Sequence, residues 1–379
     1  MTPQEIAVHM NQRIVDAKNG NSILEGDHHW ITDPFGPGMV GEPDLGVASW
    51  IGNGRTSAFE LVAGTKKSLF SLRNQGDWHD ATMRGLAFYG NGEGGAPILL
   101  LSGYSLHLED VFVRGSRSGA GKHEAGLEIR NGQHYRLCNV QCEHIQGGIG
   151  IHLHDVLSAD VDSCNVEFCD VGMKITRADR PRTNFIRIGT LYAEGTTEGL
   201  VVDGVTIRLD GGVYTGHPDR TAIRLENSRS SYLDVSRTVG KVILGEGTHG
   251  CEVVVGYYGP SEVIDWGEGN TIRTVGTPIL TGQTDGGPNF PKHMTTENGE
   301  QKRIQSISEF TPGTHFIKYD YQTQGHCRLA CELYDLTERE HYDFTAREWV
   351  SSDNSQCLVP LNYVRYELCS QTVRFHTDR

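Results

Sequence analysis

The sequence predicts an all-β protein: a parallel β-solenoid closed at its N-terminal end by a helix and followed by a small antiparallel, sandwich-like domain. Three observations carry that prediction. Short pieces of alternating apolar and polar residues recur at intervals of roughly 22 to 27 residues. Forty-seven Gly against 13 Pro punctuate the chain with turns. No helical period falls between the pieces, which excludes a βαβ array.

The helix comes first. Thr2, Pro3 and Glu5 form a capping box with proline at the first helical position. Ile6, Met10, Ile14 and Ala17 follow at helical spacing, so residues 3–18 are expected to form an amphipathic helix. The first coil of a stack exposes an unpaired edge, and this helix is placed to cover it.

The coils follow. GLEIRNG from residue 126, IGIHLHD from 149, GMKITRA from 172, GLVVDGV from 199 and TAIRLEN from 221 align as one strand of a repeating unit. A second strand follows in each unit: YRLCNVQC from 135, SADVDSCNVEF from 158, TNFIRIG from 183, VTIRLDG from 205 and SYLDVSR from 231. HDATMRGLAFYGN from 79 and YSLHLEDVFVRGS from 104 read as earlier coils, CEVVVGYYG from 251 and NTIRTVG from 270 as late ones. Repeats this short bury their apolar side chains only by stacking on their neighbours. The expected division is 1–44 for the helix and first strands, 45–276 for the solenoid, 277–303 for a linker rich in Gly, Pro and Thr, and 304–379 for the sandwich.

The formal charge of −14 argues against nucleic acid and anionic membranes as partners, because phosphate recognition needs a basic surface. No apolar run approaches the length of a membrane span, and MTPQEIAVHM lacks the basic and apolar regions of a signal peptide. Nine Cys, an odd number, fit buried thiols made in a reducing cytoplasm. Cys327 and Cys331 have a zinc-like spacing without a second close pair, so no metal and no cofactor is expected.

The initial helix, NGNSILEGDHHWI from residue 19, SWIGNGRTSAFEL from 49 and the repeated coils together resemble the pectate-lyase-like right-handed parallel β-helix superfamily, and within it bacteriophage tailspikes. The resemblance covers residues 1 to about 276. It implies a right-handed solenoid, side-by-side homotrimers, a C-terminal module for trimer formation or glycan binding, and a place in a virion tail after synthesis in the host cytoplasm. The implied partner is a cell-surface polysaccharide or lipopolysaccharide glycan. A free-standing extracellular microbial enzyme fits the same features.

Glycoside hydrolysis needs two carboxyl groups about 5 to 9.5 Å apart. Outward residues two apart on a strand are about 6.8 Å apart, so Asp160 and Asp162 fit that need. Stacking the second strands with Leu137, Val161, Ile186, Ile207 and Leu233 as equivalents sets Asp162 against Arg187, and Arg208 against Asp234, as a charge ladder. The same stacking puts Asp160 beside Phe185, an aromatic face suited to a sugar ring. Tyr192, Glu194, Asp210 and Tyr214 follow strands beside Gly-rich turns and form the leading candidate groove, with Glu194, Asp210 and Asp160 as catalytic acids. The first strands stack Glu128, His152, Lys174, Val201 and Arg224 in one outward column, and Arg130, His154, Thr176, Asp203 and Glu226 in the next. Basic residues beside histidine there, His152 and Lys174 first, suit binding of an acidic glycan or a lyase base. Asn139 and Asn165 are expected to share an internal amide stack at a coil corner. His28, His29 and Asp33 read as a polar turn, and GNGRTS and GNGEGG as turns without phosphate-binding context. Hydrolase, lyase and non-catalytic adhesin all stand as readings of this surface.

Overall fold

The computed structural model describes residues 1–17, 22–40, 49–72, 79–177, 185–255 and 260–274, together with separate strands between 313 and 377. Tyr257 and Tyr258, Cys327 and Cys357, and the expected linker lie outside the described residues. The chain divides into two compact units, Met1–Val275 and Gly276–Arg379.

The first unit is a parallel β-helix with three strands per coil rather than the two read from the sequence. The extra strand hides inside the second piece of each repeat. In YRLCNVQCE the chain runs Tyr135–Cys138, turns at Asn139, and continues as Val140–Glu143. Asn139 holds φ 51°, as Asp110 holds 53° and Gly85 63° at the same corner of earlier coils. Short polar side chains and glycine tolerate this left-handed conformation, so a single residue bends the chain between two faces. In two coils the faces run together as the long strands Ser158–Glu167 and Phe185–Tyr192, which join both columns into one 17-stranded sheet. The third face is a separate sheet of nine parallel strands from Phe70–Ser71 to Glu262–Asp265. Strand pairing begins at Ser22–Leu24 and His29–Thr32, so the chain enters the ladder well before residue 45.

Inward positions form continuous apolar columns. On the first face Leu137, Val161, Ile188, Leu209, Leu233 and Val253 stack fully buried. The first coils hold an aromatic core in which Phe35, Trp50, Phe59 and Phe70 meet with ring centroids 5.2 to 5.6 Å apart. Edge-on contacts of this kind add to the area that each ring buries.

The helix spans Pro3–Asp16 and has the predicted capping box. Its buried face, Ile6, Ala7, Met10 and Ile14, lies over the first coil. Arg13 anchors it: its guanidinium bonds the carboxylate of Glu25 at 2.5 Å and the carbonyl of Leu24 at 2.7 Å. The Trp50 indole N–H donates to the same Glu25 oxygen at 3.1 Å. Burial pushes the Glu25 carboxyl up despite Arg13 and Trp50.

The recurring glycines of GLEI, GIHL, GMKI and GLVV have a spatial cause. Gly126, Gly150, Gly172 and Gly199 sit where the third face presses against side chains of the second: Cys142, Val166, Ala193 and Val213. None of the four needs a positive φ; each is there because a Cβ has no room.

In the second unit all described pairings are antiparallel. Gly313–Tyr321 pairs with Cys369–Thr377, Leu329–Cys331 with Val359–Leu361, and Tyr334–Asp335, Glu340–Asp343 and Glu348–Val350 form a meander.

The glycine column makes a direct prediction. In Gly150→Ala the new methyl would overlap Val166 Cγ1 and stand 2.8 Å from the carbonyl oxygen of Gly172, which cannot step aside without breaking the ladder. Overpacking of this kind costs about 1–3 kcal/mol. Urea unfolding should show a correspondingly lower midpoint, and an unchanged midpoint would contradict the close approach.

Candidate functional site

The residues proposed from the sequence fall on three different faces. Tyr192, Tyr214 and Glu194 come together on the second. Asp160 and Asp210 share the first, and His152 and Lys174 the third.

On the first face the register differs from the expected one by two residues. Asp160, not Asp162, lies opposite Arg187, and Arg208 lies opposite Tyr232, not Asp234. Arg187 bonds Asp160 at 3.2 Å and Asp210 at 2.8 Å, and Arg208 bonds the other oxygen of Asp210 at 2.7 Å. The Arg208 guanidinium also lies over the Tyr232 ring, 5.1 Å from its centroid. Asp160 is therefore a rung of the ladder, while Asp162 is exposed at the corner. Burial works to raise the Asp210 carboxyl, but the hydrogen bonds and charges of Arg187 and Arg208 outweigh it and hold it below the ordinary range. A carboxylate bound by two guanidiniums is a poor proton donor. Phe185 stands 59% exposed beside this ladder, opposite Ser158. Asn139 and Asn165 are likewise not equivalent. Asn165 pairs with Gln141, and its side chain bonds Glu167 rather than an internal amide stack.

The second face carries a more open arrangement. Gln141, Asn165, Tyr192 and Tyr214 stack in one outward column, with the two tyrosine rings 4.9 Å apart. Two residues further along, Glu143 pairs with Glu167, and the bond from the Phe168 amide to the Glu194 carbonyl carries the same column to Glu194. Neighbouring rungs are about 4.8 Å apart, so Glu167 and Glu194 start at a separation suited to paired-carboxylate chemistry. The Asn165 amide donates to Glu167 at 2.8 Å and orients it. Glu194 is exposed, and neither acid has an ion-pair partner among the described residues.

Earlier rungs of this column are neutralised. Arg55 reaches Glu143 at 3.5 Å and Gln141 at 2.8 Å while lying over Phe112. His29 and Arg117 approach Glu60. At the next corner Phe168 stacks on His144 with centroids 4.7 Å apart, and it is 51% exposed. Gly195, at φ 71°, leaves room for that ring: a Cβ there would stand 2.7 Å from it. Two uncompensated acids thus lie between two exposed aromatic platforms.

Sequence reading missed Glu167, Phe168 and His144. The signal was present: CEH, VEF and AEG each place glutamate after the last inward residue and before a residue in the left-handed conformation.

On the third face the expected columns hold residue for residue. Glu128 pairs with His152, His152 with Lys174, and His154 with Thr176. Glu128 is buried although it lies on the outward column. His152 approaches it at 3.6 Å, and Arg130 bonds it at 2.5 Å. Burial, reinforced by His154, Lys174 and Arg130, pushes the His152 imidazole down to about 4 against the pull of Glu128.

No protein-family model and no curated protein matches the chain. Among solved structures, the A-module of the mannuronan C-5 epimerase AlgE6 from Azotobacter vinelandii aligns at 11% identity and a TM-score of 0.34, over 72% of this chain and 96% of that one. The AlgE4 A-module from the same organism aligns at 11% identity and a TM-score of 0.33, over 71% and 95%. At these values the likeness is not informative about chemistry.

His152 has a consequence for stability. Its folded value of about 4 lies below the ordinary 6.5, so as pH falls below 6.5 the unfolded chain takes up this proton first. The fold should lose up to about 3 kcal/mol between pH 6.5 and 4 and level off below. Urea unfolding across that range should show a shallower loss in His152→Gln, and parallel curves for the two proteins would contradict the burial of a neutral imidazole.

Proposed function

We propose that this protein binds a cell-surface polysaccharide along the second face of its β-helix and cleaves it by glycoside hydrolysis. The observation that supports this reading is the pair of uncompensated carboxylates, Glu167 and Glu194, on adjacent rungs between the Tyr192–Tyr214 and His144–Phe168 platforms. Aromatic faces suit the apolar faces of sugar rings, and the acids suit the two steps of hydrolysis. Glu167, oriented by Asn165, bonds the anomeric carbon through a carboxylate oxygen as Glu194 gives its proton to the departing glycosidic oxygen. Water then bonds the anomeric carbon and gives a proton to Glu194 as the bond to Glu167 breaks, the close spacing of adjacent rungs fitting this two-step route.

The biological setting in this proposal is a tailspike-like receptor-binding protein, homotrimeric and mounted on a virion tail. A non-catalytic adhesin would use the same aromatics without the acids. Asp210 and Asp160 are reserved for the first-face ladder.

Incubation with purified surface polysaccharides should release new reducing ends without an unsaturated uronate chromophore. Glu194→Gln and Glu167→Gln should each slow release by about a hundredfold or more while retaining glycan binding. Full activity in either variant would remove the pair. Binding without reducing ends in the unaltered protein would favour the adhesin, and reducing ends with the chromophore a lyase.

Light scattering should give three times the mass of one chain. A single-chain mass would exclude the trimer.

A further inference from the structure

The third face holds a hydroxyl, an imidazole and a carboxylate on three consecutive coils. Thr176 Oγ1 lies 2.9 Å from His152 Nε2, and His152 Nδ1 lies 3.6 Å from Glu128 Oε1. A second imidazole reaches the same hydroxyl: His154 Nδ1 lies 2.8 Å from Thr176 Oγ1.

Proton counting narrows the arrangement to two patterns. The hydroxyl has one proton and two imidazole neighbours, so it donates to one ring and accepts from the other. The buried Glu128 carboxylate favours a proton on the facing Nδ1 of His152, which leaves Nε2 of that ring as an acceptor. In that tautomer Thr176 donates to His152, and His154 Nδ1–H donates to Thr176. The order carboxylate, imidazole, hydroxyl is that of an activated nucleophile, and His154 holds the hydroxyl in place from the other side.

The surroundings support this reading. Arg130 Nε holds Glu128 at 2.5 Å, which fixes the carboxylate, and burial keeps His152 neutral, so its Nε2 carries a lone pair toward the hydroxyl 2.9 Å away. Lys174 stands on the rung beside His152 and on the strand of Thr176. Its ammonium supplies a cation on this face for a carbonyl oxygen under attack or for an acidic sugar. All of these residues are on strands, where positions are held by the ladder on both sides.

We propose that Thr176, His152 and Glu128 form an acyl-ester hydrolase site that removes O-acyl groups from a glycan. Thr176 Oγ1 bonds the ester carbonyl carbon as its proton passes to His152 Nε2. The bond from that carbon to the sugar oxygen then breaks, and the sugar oxygen takes the proton from His152. Water attacks the acyl-threonine and gives one proton to His152, the carboxylic acid departs, and the proton returns to Thr176. Glu128 is a positioning residue that holds the tautomer. The site is separate from the second-face acids and does not depend on the glycosidase reading, because a simple ester contains no glycosidic bond.

The test uses the full chain with p-nitrophenyl acetate and with an O-acetylated polysaccharide, reading acetate release and, by peptide mass spectrometry, the position of any acyl adduct. The unaltered protein should release acetate from both and carry the adduct on the peptide containing Thr176. Thr176→Val, which keeps the shape, and His152→Gln should each lose about a hundredfold or more of the rate. Thr176→Ser should retain it. Hydrolysis no faster than in buffer, equal rates in the unaltered protein and Thr176→Val, or an adduct on a histidine would overturn the proposal.

Discussion

The in-register backbone ladder between successive coils is the interaction on which everything else in the first unit depends. No coil has a core of its own; Leu137 is buried because Leu108 lies on one side of it and Val161 on the other. Each strand's outward side chains are therefore set beside those of its neighbours at about 4.8 Å, whether or not their charges suit each other. The same dependence makes the first coil vulnerable, since its ladder has a free edge. The N-terminal helix answers that need with a buried face that includes Met10 and Ile14 and with an ion pair in which Arg13 meets the buried Glu25, tied in turn to Trp50. A buried pair is costly to desolvate and costly to break, so it serves better to fix where the helix docks than to add stability.

Register also explains which parts of the structure were legible in the sequence. The third face was readable residue by residue because its strands are six residues long and start beside a residue that must be small: Gly126, Gly150, Gly172, Gly199 or Ala222. That position is a ruler. The first face has none. Phe185–Tyr192 buries both Ile186 and Ile188, and the next coil buries both Ile207 and Leu209. A slip of one residue would turn every apolar side chain outward, but a slip of two preserves inside and outside and is invisible to alternation. The exchange of Asp160 and Asp162 follows from that ambiguity alone.

The candidate site was partly legible for the same reason. Tyr192, Tyr214 and Glu194 were found because they stand next to glycine turns. Asp210 was grouped with them because it too precedes glycines, although its turn joins the first face to the second and its carboxylate belongs to Arg187 and Arg208. Glu167 was missed because its strand runs unbroken from Ser158, and a repeat of two strands per coil has no place for it. Once the corner at Asn139 is recognised, the three glutamates at the end of successive second-face strands form a visible series.

A solenoid stacks charged residues wherever its outward positions are polar, so stacking by itself is not evidence of chemistry. The three faces show how to separate scaffold from site. On the first, Arg187 and Arg208 lie on adjacent rungs but share Asp210, and Arg187 also bonds Asp160, so the charges satisfy one another through short bonds in largely solvated positions, where such pairs contribute about 0–1 kcal/mol each. That is a ladder in electrostatic balance. On the second, Arg55 balances Glu143, but the column continues into Glu167 and Glu194 with no cation among the described residues, just where exposed aromatics begin. On the third, Glu128 is buried on an outward column and is held by Arg130 and His152 rather than by solvent. What sets the second and third faces apart is like charges without a counter-ion among the described residues, and a buried carboxylate facing an imidazole. Those two departures from charge balance, rather than the abundance of charge, are the observations that support the sites proposed on the second and third faces.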